Sequence, residues 1–156
     1  MSLFPPGLPL LHGPDVTQAL ADWAACRIPH VGPAGFGPCW AVGIIHGESV
    51  GAVVVFHDWQ DTAGTVQLSC AADTWRGASR ALLYEILAVP FEGKLGGRIR
   101  KVWTATPHTN TTAIRFNERT GFKREAVLRH HYAPKVHAVI CSLLEPEWRK
   151  LYGKEA

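Results

Sequence analysis

Charge is scarce in this chain of 156 residues. Asp, Glu, Lys and Arg make up 19% of it, against 47% hydrophobic residues. That balance excludes an intrinsically disordered polyelectrolyte and suits one globular domain with a substantial core. Long apolar runs are also missing. None approaches the roughly 20 residues needed to cross a bilayer. The first eleven residues hold three prolines and no Lys or Arg, so a secretory leader is not expected. Paired cysteines are absent too. Cys26, Cys39, Cys70 and Cys141 are scattered and read as free thiols in a reducing compartment, which predicts a cytoplasmic protein. A strong excess of either sign is lacking: the net charge is +3 and the pI about 8.8. This is no nucleic-acid signature by itself, and a basic patch of this size equally suits a phosphate-bearing ligand. A nucleic-acid or protein interaction module is the weaker alternative, and it predicts salt-sensitive binding.

What is present is periodic. Residues 1–14, rich in Pro, Gly and Leu, read as an extended arm. Asp15 starts a helix whose apolar stripe is Val16, Leu20, Trp23, Ala24 and Ile28, and Pro29 ends it. The period then changes. Cys39–Ile45 and valine-dense Val50–Phe56 read as strands around a Gly47-Glu48 turn, and residues 57–64 as a polar connection. Val66–Ala71 is a strand, Arg76–Val89 a helix closed by Pro90-Phe91, and Val102–Thr106 a strand. A short helix follows, then an antiparallel pair, Phe122–Leu128 and Val136–Leu144, and a polar tail anchored by Trp148 and Tyr152. The order predicts a single α+β domain over residues 15–148, with a mixed, mostly antiparallel twisted sheet flanked by helices and a short tail at 149–156.

The short helix carries the most information. In Asn110-Thr-Thr-Ala-Ile-Arg-Phe-Asn-Glu-Arg-Thr-Gly-Phe122, Asn110 can cap the start, and Ala113, Phe116 and Thr120 share one face. Gly121 stands where helices end in a left-handed turn, with Phe122 folding back onto the last turn. The pattern Asn-x-x-Ala-x-x-Phe-x-Glu-x-x-Gly-Phe resembles the late helix of the GCN5-related N-acetyltransferases, the GNAT superfamily. A second segment agrees. Trp75-Arg-Gly-Ala-Ser-Arg80 lies between a strand and a helix. Small residues and a helix N-terminus favour an anion there, and Arg76 and Arg80 can pair with phosphates. Alone this is equally a helix start with two solvated arginines. The segment is similar to the family's pyrophosphate loop, and both stretches come in the family order. Phe36–Trp40 and the run Gly121-Phe122-Lys-Arg-Glu125-Ala-Val-Leu-Arg129 resemble small phage and prophage members and ribosomal-protein acetyltransferases.

The resemblance implies direct transfer of an acetyl group from acetyl-CoA, as cosubstrate, to a primary amine of a small molecule or protein, with no metal. It implies that Arg76, Gly77, Ala78, Ser79 and Arg80 hold the pyrophosphate. Leu68, Ser69 and Cys70 would offer backbone to the pantetheine, and Asn110 would reach it or remain only a cap. It is compatible with a homodimer and implies no membrane. Two departures stand out. Asn117 occupies the position where many members place a tyrosine that protonates the leaving thiolate, and an amide is no general acid. The third strand reads Gln67-Leu-Ser69 where a glutamate often serves as base. Tyr132 and Ser69 are the candidates for the acid, and His57, Asp58 and Asp73 for a base acting through water. These departures also motivate a rival reading, an acyl-CoA-binding module without catalysis. His130, His131, His137 and Cys141 match no zinc spacing; the histidines could line an acceptor pocket with Tyr132 and Trp103, and Trp59 is a further pocket candidate.

Overall fold

The chain's computed structural model describes residues 3–153. Valine and isoleucine run through its two central strands, β2 (Cys39–His46) and β3 (Ser49–Gln60). Both faces of this pair are covered, because residues 51–57 are buried without a break. Branched side chains on both sides of a strand require helices or loops on both faces of the sheet. Seven strands form one sheet: β1 (Leu10–Leu11), β2, β3, β4 (Thr65–Ala72), β5 (Lys101–Pro107), β7 (Val136–Leu144) and β6 (Lys123–Ala133), in that spatial order. All neighbours are antiparallel except β4 and β5. Among the described residues four helices complete the domain: α1 (Thr17–Ala25), α2 (Arg80–Phe91), α3 (Thr111–Arg119) and α4 (Glu145–Tyr152).

The helices divide unequally. On one face α2, α3 and α4 close a large core holding Val42, Val54, Phe56, Leu82, Ile86 and Phe91. On the other, α1 alone covers Ala41, Val53, Val55 and Ala71 through Leu20, Ala21 and Ala24. Successive strand residues point to opposite faces, so a single strand serves both cores.

Four sequence expectations are corrected. The segment 57–60 is not a connection, since β3 continues to Gln60, with a register shift after His57 and φ of +53° at Asp58. The helix expected from Arg76 begins at Arg80. Gly77 takes φ of +86°, and Ser79 is extended with its Oγ accepting from Leu82 N at 3.1 Å, so the turn before it cannot be helical. Its last turn also contains Pro90 and Phe91. The tail is a helix. Glu147 accepts from Leu144 N at 3.0 Å, and acids in the first turn with bases in the last complement the helix dipole. Its Trp148 is fully buried between Tyr84 and Phe91, with ring centroids 4.7 and 5.1 Å away. Finally, the N-terminal arm is docked: Leu10 and Leu11 pair with Ile44 and Gly43, and Phe4 enters the larger core.

Candidate active site

The parallel pair β4 and β5 is joined over three residues only, from Thr65 opposite Lys101 to Gln67 opposite Trp103. Beyond that rung the strands part. On β4, Leu68 to Ala72 keep their partner β3 on one side and lose β5 on the other. Every second backbone N–H and C=O of that stretch therefore faces a gap instead of a strand. A cavity of about 750 Å³ fills the gap.

Its walls come from five places in the chain. Leu68–Ala72 form one side and Thr104–Pro107 of β5 the other. Helix α3 closes it through Asn110, Ala113 and Phe116; Arg27 to His30 enter from the loop after α1, and Tyr132 and Val136 from the β6–β7 hairpin. The Asn110 Oδ1 accepts from Ala113 N at 3.2 Å, so the cap and the wall are one residue. The face of α3 read as apolar packing, Ala113 and Phe116, is the cavity face; Asn117 is buried yet also lines the cavity, and Ile114 lies beneath. Thr120 ends the helix instead, its Oγ1 donating to the carbonyls of Phe116 and Asn117. Gly121 follows with φ of +101°. Phe116 stacks on Trp75 at 4.4 Å, joining α3 to the turn that precedes α2.

Asn117 has a different neighbourhood from an acid. Its Nδ2 donates to Thr104 Oγ1 at 3.2 Å and Thr106 Oγ1 at 3.4 Å, and the residue is buried. The amide pins α3 to β5 along the edge of the gap. Arg76, Gly77, Ala78, Ser79 and Arg80 stand outside the cavity wall, which reaches only as far as Trp75. Arg76, Gly77, Ser79 and Arg80 are exposed at the N-terminus of α2 while Ala78 packs against the larger core, and Arg80 lies 5.1 Å from the ring of Tyr152. Trp59 and Trp103 do not line the cavity: Trp59 packs against the larger core, and Trp103 sits at the last paired rung.

The ionisable groups gather on the α1 face. Tyr132 leans on His30, with ring centroids 4.3 Å apart, and burial pushes its phenol up to about 12. Burial and the nearby His131 lower His30. Asp73 is held in a two-pronged pair with Arg27, at 3.0 and 3.1 Å, which keeps its carboxyl below the usual range. That pairing removes it from the candidates for a free base. Burial raises the Cys70 thiol to about 11, so it stays protonated at neutral pH.

Ser69 has the most developed surroundings. His57 Nε2 lies 2.8 Å from Ser69 Oγ, and His57 Nδ1 lies 2.9 Å from Asp58 Oδ2. The register explains the first contact. Val55 pairs with Ser69 and His57 with Gln67, so His57 and Ser69 are diagonal neighbours on one face. The bulge explains the second. Adjacent strand residues point apart, but φ of +53° at Asp58 lets its carboxylate reach its neighbour's ring. Sequence reading named all three residues separately and missed their union, because it took 57–64 for a loop. The histidines near the hairpin form their own chain: His137 N donates to His108 Nδ1 and His130 N to His137 Nδ1, both at 2.9 Å. Cys141 is buried in the larger core instead.

No family model matches the sequence, and no curated protein matches it either. Solved structures do. One is an acetyltransferase of the GNAT family from Bacillus anthracis, with a TM-score of 0.54 at 17% identity, covering 69% of this chain and 66% of that one. The chain has the GNAT fold. The same GNAT architecture is shared with a chimera of spermidine N-acetyltransferase SpeG from Vibrio cholerae and hSSAT, with a TM-score of 0.64 at 11% identity over 89% of this chain and 96% of that one. It is shared too with a protein from T. thermophilus described as an acetyltransferase, with a TM-score of 0.61 at 20% identity over 74% of this chain. This chain spans 64% of the length of that protein. At these identities the likeness speaks for the GNAT fold, and the chemistry has to be argued from the site. No helix among the described residues is long and apolar enough to cross a membrane.

Proposed function

We propose that this protein is an N-acetyltransferase that takes its acetyl group from acetyl-CoA and passes it to a primary amine. The observation that carries the reading is the gap between β4 and β5, which opens past Gln67 and Trp103 into a cavity of about 750 Å³ beneath the cap of α3. Acetyl-CoA supplies an activated thioester on a long arm of amides, and the residues present fit it. The unpaired backbone of Leu68, Ser69 and Cys70 can bond amides as a missing strand would. Asn110 stands at the wall beside it. The turn at Gly77 and the N-terminus of α2, with Arg76 and Arg80, suit a pyrophosphate at the approach.

The acceptor enters from the α1 face, between the loop after α1 and the β6–β7 hairpin. The charged side chains of the cavity wall are Arg27 and Arg119, with no carboxylate among the described lining residues. A polyamine finds no counter-ion there, so the acceptor we favour is an amine without a second positive charge. Tyr132 orients and does not protonate. A phenol raised by burial to about 12 is a poorer proton donor than an ordinary tyrosine.

The test is a panel of amino acids, short peptides with free N-termini and spermidine, incubated with acetyl-CoA while thiol release is followed. Amine-dependent release, least with spermidine, is expected. The capture of Asn117 by Thr104 and Thr106 favours the rival reading, an acyl-CoA-binding module. Calorimetric acetyl-CoA binding without amine-dependent release would establish that rival instead.

A further inference from the structure

We propose that Ser69, His57 and Asp58 form a proton relay leading from the acceptor side of the cavity to solvent, with Ser69 as the group that takes the acceptor's proton. This rests on the acetyltransferase reading and gives it a base that the third strand's missing glutamate does not supply.

The direction of the relay follows from the donors and acceptors. An ionised carboxylate can only accept, so the proton shared with Asp58 Oδ2 belongs to His57 Nδ1. A neutral ring then has Nε2 as acceptor, and Ser69 donates its hydroxyl proton to it at 2.8 Å. Burial of the ring outweighs Asp58 and lowers His57, which leaves the ring neutral before the reaction. The other groups around it add no charge: Ser69 and Gln67 are on β4, Phe36 touches the ring from the loop before β2, and Cys39 pairs opposite on β2 with its thiol raised by burial.

Burial also decides the division of labour. His57 is 6% exposed and is not part of the cavity wall, whereas Ser69 is. His57 therefore acts only through the serine and is a positioning residue. The Asp58 side chain is 61% exposed, which gives the far end of the chain an outlet to water. The left-handed backbone at Asp58, which aspartate tolerates, is what places the carboxylate on His57 Nδ1.

The proton balance closes. The acceptor enters as an ammonium with three protons. One passes to Ser69 Oγ as the serine proton passes to His57 Nε2, leaving an imidazolium beside Asp58. The nitrogen then bonds to the thioester carbon and the C–S bond breaks. A second nitrogen proton goes to the departing thiolate, and the third remains on the amide. His57 returns its proton to water past Asp58.

The experiment compares wild type with His57→Gln, Ser69→Ala and Ser69→Thr, using the amine of the panel that wild type acetylates fastest. His57→Gln and Ser69→Ala are expected to lower kcat about 100-fold or more and to erase the acid limb of kcat/KM against pH. Ser69→Thr keeps the hydroxyl and the limb. Acetyl-CoA affinity by calorimetry stays within about twofold in all three, which separates this role from loss of the fold. An unchanged acid limb in folded His57→Gln overturns the relay. Nitrogen NMR of the imidazole tests it without turnover. A neutral ring at pH 7 protonated on Nδ1, with an Nε2 resonance that moves in Ser69→Ala, is expected. A charged ring or a proton on Nε2 overturns it. If wild type acetylates no amine yet shows that NMR signature, the acetyltransferase reading fails and the hydrogen-bonded chain survives it.

Discussion

The two faces of the sheet are built to different plans. The face under α2, α3 and α4 is a thick apolar core with Trp148, Phe91 and Phe56 at its centre. The face under α1 is thin, and beside its small core lie His57, His30, Tyr132 and the Arg27–Asp73 pair. The difference teaches where each task is placed. On the thick side Ile114 packs α3 into the core and Asn117 ties it to β5. The thin face carries groups that titrate and the loop after α1 that lines the cavity. Strand β4 belongs to both: Leu68 and Cys70 lean on the thick core, and Ser69 faces the other way.

The comparison is broken most severely at Trp148. Trp148→Ala removes a fully buried ring between Tyr84 and Phe91. It is expected to cost about 3–5 kcal/mol of stability, read as a fall in the denaturant midpoint. Next is Asn117→Ala, which leaves two threonine hydroxyls without their donor. A loss of about 1–3 kcal/mol is expected. The affinity for acetyl-CoA should fall with it, because the pin holds α3, whose residues line the cavity, against β5.

A charge reversal outside both cores sharpens the contrast. Arg80→Glu, on exposed backbone at the start of α2, should leave the unfolding midpoint in place and weaken acetyl-CoA binding about tenfold by calorimetry. Gly77 is a less clean probe, because φ of +86° strains any other residue although a Cβ would meet nothing there.

The smallest effect concerns pH and belongs to the thin face and its hairpin. His30, His57 and His137 are all lowered, first by burial. A lowered histidine pKa means that the unfolded chain binds protons first as pH falls. Stability from these groups is therefore full above about 6.5, the ordinary histidine value, and is lost as pH drops from there through the folded values. Thermal unfolding between pH 7.5 and 5 should show a falling midpoint. The Nδ1 atom of His137 accepts the backbone N–H of His130, and protonation removes that acceptor.

Much of this was legible in the residues. The cap of Asn110, the stop at Gly121 and the succession of elements from α1 to β7 along the chain follow from local chemistry, and all three stand in the structure. Helix α4 was legible too and was missed, since Pro146 with Glu145 and Glu147 ahead of Arg149 and Lys150 is a helix signature. The relay around His57 was hidden for a physical reason. Its contacts depend on strand register and on a bulge at Asp58, and a polar stretch with an aspartate at positive φ reads as a turn. The role of Asn117 was hidden likewise, because its partners lie on a neighbouring strand and only the packing reveals them.

The central claim is that the unpaired edge of β4 receives acetyl-CoA. Amide hydrogen exchange with and without acetyl-CoA tests it most directly. Protection should rise at residues 68–72 and around the α3 cap, while residues 52–56, zipped between β2 and β4, stay unchanged. Tight binding with exchange at residues 68–72 unaltered would contradict the account.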